Sequence, residues 1–119
     1  MIQQDFAAVF ANEWVNAWNA HDLDAVMAHY SDDILFYSPF VIKLNNDPSG
    51  CITNKDDLRN YFARALQSYP ALHFTLHKTL VSVNSVVLYY DSINDLVTAE
   101  FMEFDKHGKV IKVVAHYSD

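Results

Sequence analysis

Few residues here punctuate or staple the chain: its 119 residues include one cysteine, two glycines and three prolines. With Cys51 alone there is no intramolecular disulfide, and a lone thiol suits a reducing compartment such as the cytoplasm. So few chain breakers exclude collagen-like and low-complexity architectures, and 51% hydrophobic residues exclude a chain too polar to collapse. Long apolar runs are also lacking, none approaching the roughly 20 residues that span a bilayer. Basic residues are scarce, with eight Lys and Arg against fifteen Asp and Glu and a formal charge of −7. Nowhere do they cluster. That balance repels phosphate backbones and anionic lipid surfaces, so neither nucleic acid nor membrane is an expected partner. Gln3, Gln4 and Asp5 stand where a secretory leader would carry basic and apolar residues, so no leader is expected. A glycine-rich phosphate loop is absent as well.

What the chain does have is aromatic residues at regular intervals. Apolar spacing predicts a first helix over about Gln3 to Ala20, with Phe6, Val9, Phe10, Trp14, Ala17 and Trp18 facing inward. Trp14 and Trp18, four apart, are neighbours on that face. Asp22 is a suitable N-cap for a second, short helix whose apolar face is Leu23, Val26, Met27 and Tyr30. Ser31-Asp32-Asp33 breaks it, and a strand runs from Ile34 into Ser38-Pro39. Residues Lys43 to Gly50 read as a turn-rich, mobile loop. A third helix starts near Thr53 or Asn54, buries Leu58, Tyr61, Phe62, Ala65, Leu66 and Tyr69, and stops at Pro70.

Beyond Pro70 the apolar period changes from about 3.6 to two. Phe74 and Leu76 alternate with His73, Thr75 and His77, and strands follow over Ser85 to Ser92, Leu96 to Asp105 and Val110 to Tyr117. Ile93-Asn94-Asp95 and Lys106 to Lys109 suit hairpin turns. Helices first and a meander last make an α+β single domain over residues 1–119.

The run from Trp14 to Pro39, with its Ala17-Trp18-Asn19, Asp22-Leu23-Asp24-Ala25-Val26 and Tyr30-Ser31-Asp32-Asp33 segments, resembles the nuclear transport factor 2-like superfamily, particularly its SnoaL-like branch. The resemblance covers nearly the whole chain. It implies a cone: a strongly curved antiparallel sheet wrapped around a long N-terminal helix, three helices in all, and a deep apolar pocket at the open end. It also implies sheet-to-sheet homodimers.

Ketosteroid isomerases of the same superfamily supply a residue-by-residue comparison. Alignment puts Trp14 where they have an oxyanion-donating tyrosine, Ser38 where they have the proton-shuttling aspartate, and Glu100 where they have a buried second donor. Trp14 can donate through its indole nitrogen, and Glu100 can act as acid or base if burial raises its pKa. Ser38 cannot shuttle a proton unaided and is limited to orienting a ligand, which argues against a standard ketosteroid isomerase. Whether Glu100 faces the pocket depends on strand register. If it does, Thr98, Met102 and Phe104 face inward with it, and Ala99, Phe101 and Glu103 face out. On the last strand Ile111, Val113, Ala115 and Tyr117 share one face, Lys112, Val114 and His116 the other.

The expected ligand-binding residues are Trp14, Trp18, Tyr30, Phe36, Phe62, Tyr90, Met102 and Tyr117; for most of the aromatics, Phe62 and Phe74 especially, core packing is the better reading, while the resemblance puts Trp14, Phe36, Ser38 and Tyr117 at the pocket. No grouping of His21, His29, His73, His77, His107, His116 and Cys51 has metal-ligand spacing, so no metal and no cofactor is expected. Three readings follow. The chain is a cofactor-independent enzyme that isomerises, cyclises, dehydrates or opens an epoxide in a small hydrophobic metabolite, a non-catalytic binder of such a molecule, or a dimerisation and docking module.

Overall fold

The computed structural model describes residues 1–118, so the last residue of the expected domain, Asp119, lies outside the described residues. Helix α1, Gln4–Asn19, buries Ala7, Phe10, Ala11, Trp14, Val15, Ala17 and Trp18 along one face. Two residues expected there fall elsewhere. Val9 lies one step round from Phe10 and is 58% exposed; Phe6, 40% exposed, sits at the margin with its edge on Phe104.

After α1 the backbone turns at His21, whose φ is +54°. Asp22 then accepts from the Ala25 amide at 3.1 Å and opens α2, Leu23–Met27. Strand β1, Tyr30–Tyr37, starts earlier than Ile34, so Tyr30 opens a strand while staying buried. Ser38 Oγ accepts from the Phe40 amide at 3.2 Å, and Pro39 needs no amide partner in a first helical turn. The result is a helix not anticipated, α3 at Pro39–Asn45, which ends on Asn46 in the left-handed conformation. The expected three helices are therefore four, and the loop expected from Lys43 begins only at Asn46.

A two-residue strand, β2 (Cys51–Ile52), leads to α4, Lys55–Ser68. Asn54 caps that helix by accepting from the Asp57 amide at 2.8 Å, and Leu58, Tyr61 and Phe62 are its buried face. Strands β3 (Thr75–Val81), β4 (Ser85–Asp91), β5 (Val97–Phe104) and β6 (Val110–Tyr117) follow, with a 3₁₀ turn at Ile93–Asp95. The six strands form one sheet in the order β2-β1-β6-β5-β4-β3.

Neighbouring strands are antiparallel except β1 and β6, which are parallel. The expected antiparallel sheet is thus a mixed one. The chain between β1 and β6 includes α3, α4 and four other strands, length enough for the crossover that a parallel pair needs. The architecture is the α+β arrangement expected, and no helix among the described residues is long and apolar enough to cross a membrane.

One face of the sheet carries the core. A row of register partners runs Val81, Val86, Met102, Val113, Phe36, Ile52, and the next runs Thr79, Leu88, Glu100, Ala115. Phe10 meets Phe104 edge-on at 4.9 Å, and Phe62 meets Phe36 at 5.4 Å, so α1 and α4 both close over this face. A register shift between Glu103 and Phe104 leaves Ile111 without an opposite residue. Val110 consequently points into the core in place of the expected Ile111.

Candidate functional site around Glu100

Strand alternation in β5 sends Thr98, Glu100, Met102 and Phe104 inward, all buried, and leaves Ala99, Phe101 and Glu103 partly exposed on the other side. Glu100 lies between Leu88 and Ala115 and is only 4% exposed. Its one hydrogen-bond partner is Tyr90, whose hydroxyl donates to Oε1 at 2.6 Å. No lysine, arginine or histidine pairs with it among the described ion pairs. Loss of hydration disfavours the charged carboxylate and the Tyr90 bond offsets only part of that, so the Glu100 pKa is pushed up to about 7.

Four phenols surround this carboxyl. Burial raises the pKa of Tyr30, Tyr61, Tyr90 and Tyr117, and the Glu100 charge raises each of them further. All four therefore remain protonated donors in neutral water. Ser38, buried at the end of β1, lowers the Tyr61 and Tyr117 values in part, which puts its hydroxyl beside both phenols. The same oxygen caps α3.

Beside the carboxyl is a cavity of about 60 Å³. Of the residues singled out from the sequence, Trp14, Trp18, Phe36, Phe62, Tyr90, Glu100 and Tyr117 line it. Tyr30, Met102 and Ser38 do not: Tyr30 sits behind Trp14, Met102 is fully enclosed in the sheet core, and Ser38 belongs to the α3 cap. Sequence reasoning left out Tyr61, Phe40, Tyr69, Leu72 and Ile93. Tyr61 and Tyr69 had a signal, since a helix face that needs only packing has no use for phenols. Phe40 had none, because α3 itself was unforeseen. A polar cleft of about 420 Å³ adjoins the cavity and shares Tyr69, Leu72, Ser92 and Ile93 with it, so these four form the boundary between inside and outside.

The two tryptophans differ. Trp14 Nε1 donates to the Tyr30 hydroxyl at 3.0 Å, so its N–H is engaged within the protein. Trp18 Nε1 has no partner among the described residues.

Among the described residues no three His, Cys, Asp or Glu side chains come together as a metal would require. His77 pairs with Asp91 at 3.0 Å across β3 and β4, and His116 is exposed on the outer face of β6. In chemical terms the arrangement offers one carboxyl able to give or take a proton near neutrality and several phenols able to hydrogen-bond an oxygen.

No curated protein matches the sequence. A SnoaL-like protein of unknown function from Burkholderia thailandensis is 38% identical, covering 99% of this chain and 98% of that one, with a TM-score of 0.96. An NTF2-like protein of unknown function from Cytophaga hutchinsonii superposes at TM-score 0.75 with 16% identity, over 99% of this chain and 95% of that one. A proposed ketosteroid isomerase from Kribbella flavida does so at 0.74 with 19% identity, over 97% and 79%. At those identities the last two show a shared fold only. The SnoaL-like domain model matches residues 11–118, and the chain belongs to the SnoaL-like domain family.

Proposed function

We propose that the cavity binds a small, mainly apolar carbonyl compound and that Glu100 moves a proton on it. The observation carrying this reading is a buried carboxyl on a cavity wall, held by a phenol, with no cation among the described residues to keep it charged. A base whose pKa lies near the working pH combines the right protonation state with adequate driving force. Proton removal next to a carbonyl builds charge on its oxygen, and the Tyr117 and Tyr61 phenols line the same cavity as hydrogen-bond donors. Isomerisation, cyclisation, dehydration and epoxide opening all fit such a site. No cofactor is invoked for any of them.

Two features separate this from a ketosteroid isomerase. Ser38 caps α3 and lies beside two phenols where those enzymes keep a carboxylate. The cavity of about 60 Å³ is also far below the ~300 Å³ at which ordinary ligand sites begin, so a steroid would have to displace Tyr69, Leu72 and Ile93.

The test is deuterium incorporation next to the carbonyl of small cyclic ketones in D₂O, followed by NMR. Glu100→Gln should slow exchange by about 10²–10⁴-fold, the usual contribution of a general base. Ser38→Ala should retain most of it. Exchange that survives Glu100→Gln undiminished removes Glu100 as the base. Ketone binding without exchange in the wild type establishes the non-catalytic binder instead.

The partner proposed for the outer face of the sheet is a second copy of the chain. Register partners Leu80, Val87, Phe101, Val114 and Tyr37 form an apolar row there. Beside it Glu103 and Lys112 are opposite each other. A two-fold axis through this face would match apolar row to apolar row and opposite charges to each other. A free Cys51 suits the cytoplasm as the compartment.

A further inference from the structure

Two indoles line the cavity, and only one of them has an acceptor for its N–H. Trp14 donates to Tyr30, so the donor role that alignment gave it toward a ligand is filled from within the protein. Trp18, one helical turn further along α1, is 4% exposed. Its Nε1 is the one buried side-chain nitrogen or oxygen without a partner among the described residues. Buried donors are almost always bonded, so an unbonded one calls for an explanation, and a partner supplied by a ligand is one. Phe62 at 4.7 Å and Phe74 at 5.4 Å hold the Trp18 ring, and neither ring offers an oxygen.

Trp14 packs edge-on against Tyr90 at 5.3 Å and against Trp18 at 6.3 Å, and so stands between the carboxyl end of the cavity and the Trp18 end. Tyr90 belongs to the carboxyl end through its bond to Glu100. The Glu100 carboxyl and the Trp18 indole therefore belong to two separated parts of the cavity wall, joined by aromatic rings.

We infer that Trp18 is a ligand-binding residue, its indole N–H donating to a second oxygen of the bound molecule. This deepens the reading of Glu100 as the proton-transfer group and rests on the same cavity. It narrows the ligand class from an apolar ketone to an apolar ring carrying two oxygen functions, such as a diketone or hydroxyketone. One oxygen lies toward Glu100 and the other toward Trp18.

Two tryptophans make the test direct. In ¹⁵N-labelled protein the indole groups give two ¹H–¹⁵N resonances, assigned with Trp14→Phe and Trp18→Phe. Cyclohexane-1,4-dione and cyclohexanone serve as probes of nearly equal shape that differ by one oxygen. The dione should move the Trp18 indole proton downfield and leave the Trp14 proton, bonded to Tyr30, nearly in place. It should also bind about five- to tenfold tighter than cyclohexanone, the value of one neutral hydrogen bond, and Trp18→Phe should abolish that difference. Dione binding, seen by saturation transfer, with the Trp18 resonance unmoved overturns the inference and leaves the Glu100 site standing. Failure of both probes to bind overturns the cavity reading itself and this inference with it. The shift is read in the wild type, so it decides the matter even where Trp18→Phe proves unstable.

Discussion

A carboxyl with a pKa near 7 inside a protein links function to stability through one proton. An ordinary glutamate titrates near 4.5, and Glu100 is raised to about 7 by burial. The folded state thus holds this proton more tightly than the unfolded chain. Below about pH 4.5 both states are protonated and the group is neutral for stability. Between there and about pH 7 stability falls as pH rises, and above 7 the full penalty applies, about 3 kcal/mol at most. Glu100→Gln keeps an oxygen for the Tyr90 hydroxyl and removes the charge. It should therefore melt higher than the wild type at pH 8 and within about a degree of it near pH 4.5, by calorimetry at both values. A lower melting temperature at pH 8 would mean that the carboxylate is ionised and stabilised by partners in the folded protein. The same titration should appear in the infrared as a protonated-carboxyl band that fades around neutrality and is missing from the Gln variant.

Among the elements, the end of α1 is fixed to the sheet by one side chain. Asn19 donates to the Phe74 carbonyl at 3.0 Å and accepts from the Phe74 amide at 2.6 Å, imitating a strand partner for the residue before β3. His21 adds a bond to the Leu72 carbonyl at 2.9 Å. Asn19→Ala leaves both Phe74 main-chain groups without their partner and should cost about 2 kcal/mol in urea denaturation, with Asn19→Asp intermediate because it retains only the acceptor. Elements of this kind differ in how far a sequence reveals them. Period-two alternation marks β5 and β6 almost residue for residue, because each strand has one buried side, but which side Glu100 takes is fixed only by the pairing of β5 with β4 and β6. Helix α3 escaped because it buries only Val41 and so lacks an apolar stripe; Ser38 and Pro39, its real start signals, also read as a strand end. Alternation carried through β6 places Ile111 inward, because the bulge that turns it aside is visible only in the pairing with β5. The parallel partnership of β1 and β6 is a contact between distant segments, which local periodicity does not encode. The cavity walls were partly legible for a related reason: aromatic positions could be read, but the hydrogen bond that engages Trp14 and not Trp18 depends on Tyr30 arriving from another element.

On the scale of the molecule, the outer face of the sheet sets the prediction. Light scattering at micromolar concentration should give twice the 13.7 kDa chain mass. Val114→Asp, at the centre of the apolar row, should halve it by placing a charge in the proposed interface. Because Val114 faces away from the cavity, the Glu100 titration should be unchanged in that variant. A monomeric wild type would withdraw the second copy as the partner of this face. The parallel junction of β1 with β6 has a different consequence, for the order in which the protein is made. On the ribosome β1 emerges well before β6, yet β6 is the strand that joins it to the rest of the sheet, since its other neighbour is only the two-residue β2. The nascent chain must therefore carry Ile34, Leu35 and Phe36 with one long strand edge open until the final strand is synthesised. That edge is a template for wrong pairing with other chains. Translation stalled or terminated before Val110 would yield a product prone to aggregation, one for which chaperone binding during synthesis matters more than the stability of the finished fold.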